Sequence, residues 1–235
     1  MKIAFVTGST KGIGRQIGID LLKQGYYVYF NYANDDLEAT HLAEELFLYE
    51  GNFSIIKANL SDSSGVLNII FQLPKVDILV LNAGMTDRTP FGQVLISNWN
   101  KVFEMNLTVP FFLVQSLKDK ISPNGKIIFI SSISGIVPDS VSISYGVSKA
   151  AINMLVLYLA KEFANKKITV NAIAPGYTDT TWHSNKSKEQ IKRIEKKCLA
   201  NRLGTVQEVS KAVMSVIDNN FINGQILRCD GGFGL

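Results

Sequence analysis

The chain has 235 residues, with 24 Lys and Arg against 20 Asp and Glu for a formal net charge of +4, and is 46% hydrophobic and 19% charged. That length suits one α/β domain over residues 1–235, burying roughly 70 to 75% of its unfolded surface, and the composition argues against a disordered or low-complexity chain. No apolar run is expected to reach a membrane span, and Cys198 and Cys229 have no partners at zinc-ligand spacing, so no metal site and no disulfide framework are expected.

In chain order, Ile3 to Val6 is the first predicted strand, leaving no room before it for a cleavable signal peptide; a cytoplasmic protein with reduced thiols is the expectation. Thr7-Gly8-Ser9-Thr10-Lys11-Gly12-Ile13-Gly14 then forms a turn into a helix running to about Gln24. Further strands are predicted at Tyr26 to Asn31, Phe53 to Ala58, Val76 to Leu81, Lys126 to Ile130, Ile168 to Ala174 and Gln225 to Arg228. Several are apolar almost throughout, as strands covered by helices on both faces are. Asp35-Asp36 are expected to cap the helix from Leu37. Another helix is predicted from Tyr145 to about Ala164, apolar nearly all round, and such a helix needs cover on more than its sheet-facing side.

The alternation implies a doubly wound, seven-stranded parallel sheet with helices on both faces, of Rossmann type. Gly8, Asn59, Asn82, Ser132 and Pro175-Gly176 each follow a predicted strand. Parallel strands bring those ends to one edge, where open α/β sheets bind ligands. The glycines of the first turn permit close backbone approach, and the helix start offers N–H groups and a positive dipole to a pyrophosphate. The spacing is Gly-x-x-x-Gly-x-Gly, which departs from Gly-x-Gly-x-x-Gly; a purely structural glycine turn is the alternative.

Thr7 to Gly14, Asn82-Ala83-Gly84, Ser132, Tyr145-x-x-x-Lys149 and Pro175-Gly176 together resemble the ordered motif set of the short-chain dehydrogenase/reductase family, across nearly the whole chain. The resemblance implies a reductase or dehydrogenase acting between a ketone and a secondary alcohol. Tyr145 and Lys149 share a helix face, and a nearby ammonium lowers a phenol's pKa toward the range useful in a general acid. Ser132 would hydrogen-bond the developing oxyanion and with Tyr145 orient the substrate. By resemblance Asn106 completes a catalytic tetrad by holding a water that links Lys149 to solvent. The plainer readings are an ordinary helix start with a snorkelling lysine, a strand-end turn serine and a buried structural amide. His41 and His183 are expected at the surface.

The resemblance further assigns a nicotinamide dinucleotide to Gly8, Ser9, Thr10, Lys11, Gly12, Ile13, Gly14, Asn31, Asn59, Leu60, Asn82, Ala83, Gly84, Tyr145, Lys149, Pro175, Gly176 and Thr178. NADP(H) is favoured, because the second strand ends without a carboxylate and Lys11 matches the basic position of NADP-preferring members, with Asn31 or Asn34 as helpers. Asn59 stands where many relatives carry Asp against the adenine amine, and Leu81 where they carry a second Asn.

Overall the chain looks most like the 3-oxoacyl-(acyl-carrier-protein) reductases, which implies a 3-oxoacyl thioester substrate, an acyl carrier protein as partner and a place in fatty acid biosynthesis. A lid is expected at about 177–200, where Lys186 to Lys197 hold six basic and two acidic residues. A positive lid suits an anionic carrier, and a solvated helix face is the alternative. Pro123 departs from those enzymes, which often have a carrier-binding basic residue there. A small ketone, sugar or steroid-like substrate, and a catalytically silent dinucleotide-binding regulator, are the competing functions. Nucleic acid and membrane are not expected as partners; a homo-oligomer, tetramer or dimer, is.

Overall fold

Seven strands form one parallel sheet in the computed structural model, which describes residues 1–138, 142–184 and 186–235, with His183 by its backbone alone. They are β1 (Ile3–Val6), β2 (Tyr27–Tyr32), β3 (Phe53–Lys57), β4 (Val76–Leu81), β5 (Ile121–Ile130), β6 (Thr169–Pro175) and β7 (Ile226–Cys229), in the order β3-β2-β1-β4-β5-β6-β7. The order reverses between β1 and β4, which opens a crevice at the strands' carboxyl ends.

Period-two alternation sends side chains from the same strands into two cores. Phe5, Leu79, Leu81, Ile127 and Phe129 point to one face, where α5 (Val109–Leu117) and α6 (Ile143–Glu162) cover them. Ala4, Val6, Ile78, Val80, Ile128 and Ile130 point to the other, beneath α1 (Gly12–Lys23) and α8 (Val206–Asp218). The remaining helices are α2 (Asp36–Glu45), α3 (Ser63–Gln72), α4 (Ile96–Phe103) and α7 (Lys188–Glu195). Asp35 caps α2 as expected, accepting from the Glu38 N–H.

Two expectations are corrected, the start of β5 and the apolar length of α6, and the setting of Asn106 is added. β5 begins at Ile121 rather than Lys126, because Ile121 pairs with Val76 and a register shift absorbs Pro123-Asn124-Gly125, with Asn124 left-handed at φ 62°; a bulge lets pairing continue past residues that resemble a turn. Asn106 lies in a π-helical turn, Glu104–Thr108, between α4 and α5. Finally, α6 is long and apolar enough by length and composition to cross a membrane. Its inner face, with Ile152, Val156 and Leu159, belongs to the core, while Met154, Leu157 and Tyr158 stand exposed. His41 is exposed as expected; the His183 side chain lies outside the described residues, as does position 185 of the expected lid.

Candidate active site

The β1–α1 turn carries two left-handed glycines, Gly8 at φ 58° and Gly12 at φ 59°, a conformation that β-carbons disfavour. The turn is stitched to the end of β4. Asn82 Nδ2 donates to the Thr7 and Gly8 carbonyls at 3.0 and 2.8 Å, and Thr7 Oγ1 accepts from the Asn82 and Ala83 N–H groups at 2.9 and 3.0 Å. A Cβ on Gly14 would lie 2.5 Å from that Asn82 nitrogen, so only glycine lets the helix start so close.

Beside this junction the carboxyl edge holds a cavity of about 380 Å³, within the range of cofactor and small-ligand sites. Its walls include Gly8, Lys11, Gly12, Ile13, Asn82, Ala83, Gly84, Ser132, Tyr145, Lys149, Pro175, Gly176 and Thr178, thirteen of the residues singled out from sequence. Lys11 and Lys149 are its charged lining residues, and no carboxylate lines it among the described residues. Glycine-lined backbone and positive charge fit a nicotinamide dinucleotide with its pyrophosphate.

At the deep end, Ser132 caps a short helical turn, its Oγ accepting from the Ser134 N–H at 3.1 Å. A side-chain hydrogen bond also joins Ser132 to Tyr145. Either hydroxyl can supply the proton of that bond. Burial pushes the Tyr145 pKa up and the Ser132 bond pulls it down.

Ser142 caps α6 by accepting from the Tyr145 N–H, which sets Tyr145 and Lys149 in its first two turns. The Lys149 ammonium is buried, donates to the Ile130 carbonyl at 2.7 Å and lies 5.6 Å from the Tyr145 ring centre. Burial pushes its pKa down to about 8. On balance burial keeps the Tyr145 pKa above its ordinary value, with the Ser132 bond opposing it.

Asn106 is buried and faces Gly84 from behind the cavity wall. Its Oδ1 accepts from the Met85 N–H at 2.8 Å, and its Nδ2 donates to the Met85 carbonyl at 3.0 Å and Ser148 Oγ at 2.9 Å. The amide's donors are thereby used. The Asn106 main-chain carbonyl differs: Pro110, four residues on, has no N–H to close a regular helical bond to it.

Other expected ligand residues do not line the cavity. Asn31 is turned inward, accepting from Gly8 N at 3.3 Å and donating to the Ile56 and Ala58 carbonyls, so it ties strand ends together instead of helping to hold a phosphate. Ser9 Oγ is similarly spent on the Val6 carbonyl and the Asn31 N–H. Thr10 is buried, Leu60 sits in the core, and Asn59 Oδ1 accepts from the Ser61 N–H. Gly14 acts through close packing. Asn34 is exposed, and Lys11 pairs with Asp35 at 2.8 Å.

Sequence reasoning missed Tyr177, Thr180, Thr181 and Trp182, which complete the wall beyond Gly176. Trp182 leans over Tyr145, ring centres 6.2 Å apart. Two aromatics within seven residues of Pro175-Gly176 were the available signal. The basic side chains of α7 are exposed and do not line the cavity.

A model of the short chain dehydrogenase family matches residues 2–191. The chain is 34% identical to an acetoacetyl-CoA reductase of Rhizobium meliloti over 98% of both chains. It is 32% identical to a 2-dehydro-3-deoxy-D-gluconate 5-dehydrogenase of Pseudoalteromonas atlantica, over 99% of this chain and 95% of that protein. A 3-oxoacyl-[acyl-carrier-protein] reductase of Rickettsia felis is also 32% identical, over 98% and 96%. Among solved structures, the Pseudomonas aeruginosa RhlG/NADP active-site complex superposes with a TM-score of 0.91 at 29% identity, covering 100% of this chain and 96% of that one. With the glycine turn, the cavity and the tyrosine–lysine helix in one place, and a family match across most of its length, this chain belongs to the short-chain dehydrogenases, oxidoreductases of ketones and alcohols that use a nicotinamide cofactor.

Proposed function

We propose that this protein reduces a 3-oxoacyl thioester to the 3-hydroxyacyl thioester with NADPH. The observation that carries the reading is the meeting of Ser132, Tyr145 and Lys149 in one cavity with the glycine turn. Bound there, the dinucleotide supplies the hydride. The Ser132 hydroxyl and Tyr145 phenol hold the ketone oxygen, and Tyr145 delivers the proton to the oxyanion. Lys149, anchored on the Ile130 carbonyl, replenishes that proton through a water held at the Asn106 main-chain carbonyl, while the Asn106 side chain fixes the loop at Met85.

Lys11 on the cavity wall, with no carboxylate lining it among the described residues, supports NADP(H), and the 2′-phosphate takes Asp35's place on Lys11. The thioester is supported by the names of the acetoacetyl-CoA and 3-oxoacyl reductases above, and the basic lid suits an acyl carrier protein or coenzyme A. A sugar-acid ketone is the second reading, from the relative that acts on 2-dehydro-3-deoxy-D-gluconate. The protein works in the cytoplasm, without nucleic acid or membrane, as a homodimer or tetramer whose contacts cover Met154, Leu157 and Tyr158 of α6.

The test is NADPH oxidation followed spectrophotometrically with acetoacetyl-CoA, simple ketones and keto sugar acids, repeated with NADH. Acetoacetyl-CoA with NADPH is expected to be fastest, and Tyr145→Phe to bind NADPH but lose about 10²- to 10⁴-fold in turnover. Turnover of keto sugar acids alone would overturn the thioester, and NADPH binding without oxidation of any ketone would favour a regulator.

A further inference from the structure

The loop after β4 runs from Asn82 past Gly84 and Met85 to Arg88, whose Nη2 donates to the Trp182 carbonyl at 2.9 Å. Trp182 lines the cavity and leans over Tyr145. This bond therefore spans the cavity mouth on the side of the proton donor, between the β4 loop and the segment after Pro175-Gly176. A guanidinium has five N–H donors in a planar fork, and the Trp182 carbonyl takes one. Arg88 is exposed and makes no ion pair with a carboxylate among the described residues. Its chain neighbour Asp87 is turned to the Thr89 N–H and hydroxyl, at 3.1 and 2.6 Å. Charge of one sign at the mouth of a low-dielectric cleft concentrates ligands of the opposite sign.

We infer that Arg88 is a specificity-determining residue that binds an anionic group, carboxylate or phosphate, on the part of the substrate projecting from the cavity beyond the ketone. The inference rests on the reduction proposed above and adds the charge of the substrate to it. The Trp182 carbonyl holds the fork at the rim, and planar donors pair with carboxylate or phosphate oxygens through two bonds. Neutral ketones with the same reacting carbon lack this anchor.

The experiment compares three 3-oxo compounds that share the reacting carbonyl: ethyl acetoacetate (neutral), acetoacetate (a carboxylate) and acetoacetyl-CoA (phosphates on a carrier), with wild type, Arg88→Ala and Arg88→Lys. The ratio of kcat/KM for an anionic compound over the neutral ester is expected to fall about fivefold in Arg88→Ala, through KM, and to recover in part in Arg88→Lys, which keeps the charge. The wild-type ratio is expected to fall with added salt. A response confined to acetoacetate identifies a carboxylate near the ketone; one confined to acetoacetyl-CoA identifies the carrier's phosphates. Equal loss for neutral and anionic compounds in Arg88→Ala would overturn the inference, since Arg88 would then only pin Trp182.

Absence of turnover in wild type would instead defeat the reduction reading. Tryptophan fluorescence titration then decides the inference alone: quenching by 3-hydroxybutyrate but not by its ethyl ester, lost in Arg88→Ala, supports it, and equal quenching by both overturns it.

Discussion

Lys149 is a charged group held out of water. Burial takes its pKa from 10.5 to about 8, so between about pH 8 and 10.5 the unfolded chain keeps a proton that the folded chain has shed. Stability attributable to this group therefore rises with pH across that window, and the full cost of burying the charge applies below it. At 1.36 kcal/mol per unit the cost is about 3 kcal/mol, offset in part by the bond to the Ile130 carbonyl. Lys149→Met removes the charge at similar volume, so its urea midpoint relative to wild type should be highest near pH 7 and decline toward pH 10. A difference independent of pH would show that the amine is not the titrating group. Retention of so costly a charge is understandable if the amine serves the chemistry at Tyr145.

At the scale of elements, the π-helical turn at Glu104–Thr108 does what a regular helix does not. It presents the Asn106 side chain to both backbone groups of Met85 and to Ser148, and Pro110 keeps the local main chain from closing an ordinary ladder. π-turns gather at functional sites for this reason. Replacing Asn106 with Leu leaves the Met85 N–H and carbonyl without their partner, at about 1 to 3 kcal/mol for each such group left unsatisfied, while Ser148 Oγ keeps its bond to the Tyr145 carbonyl. The expected result is a loss of about 3 kcal/mol in urea unfolding, with a lower kcat; a stability unchanged within 0.5 kcal/mol, about the scatter of surface substitutions, would remove Asn106 from the loop's support. Caps of the ordinary kind frame the site too, Ser142 on α6 and the Thr205/Glu208 capping box on α8.

For the molecule as a whole, the open question is the outer face of α6. Met154 and Tyr158 are 55% and 69% exposed, on a helix apolar enough to need cover beyond one sheet. In sedimentation velocity the wild type is expected as a dimer or tetramer, and Met154→Glu with Tyr158→Glu as a smaller species; a monomeric wild type would end the proposal of a homo-oligomer. What the sequence determined by itself was the class of fold, the strands' order of appearance and the convergence of Gly8, Asn82, Ser132, Tyr145, Lys149 and Pro175-Gly176, because parallel strands carry any residue at their ends to the same edge. Local patterns suffice for that. Tertiary structure alone decided what each side chain does there: Asn31 and Ser9 turn inward, Ser132 joins the Tyr145 hydroxyl, Lys149 anchors on the Ile130 carbonyl, and Arg88 meets Trp182 from 94 positions away. The physical reason is that pKa values, hydrogen-bond satisfaction and burial depend on neighbours from distant segments, and spacing along a chain does not encode which of two nearby polar groups claims a shared proton.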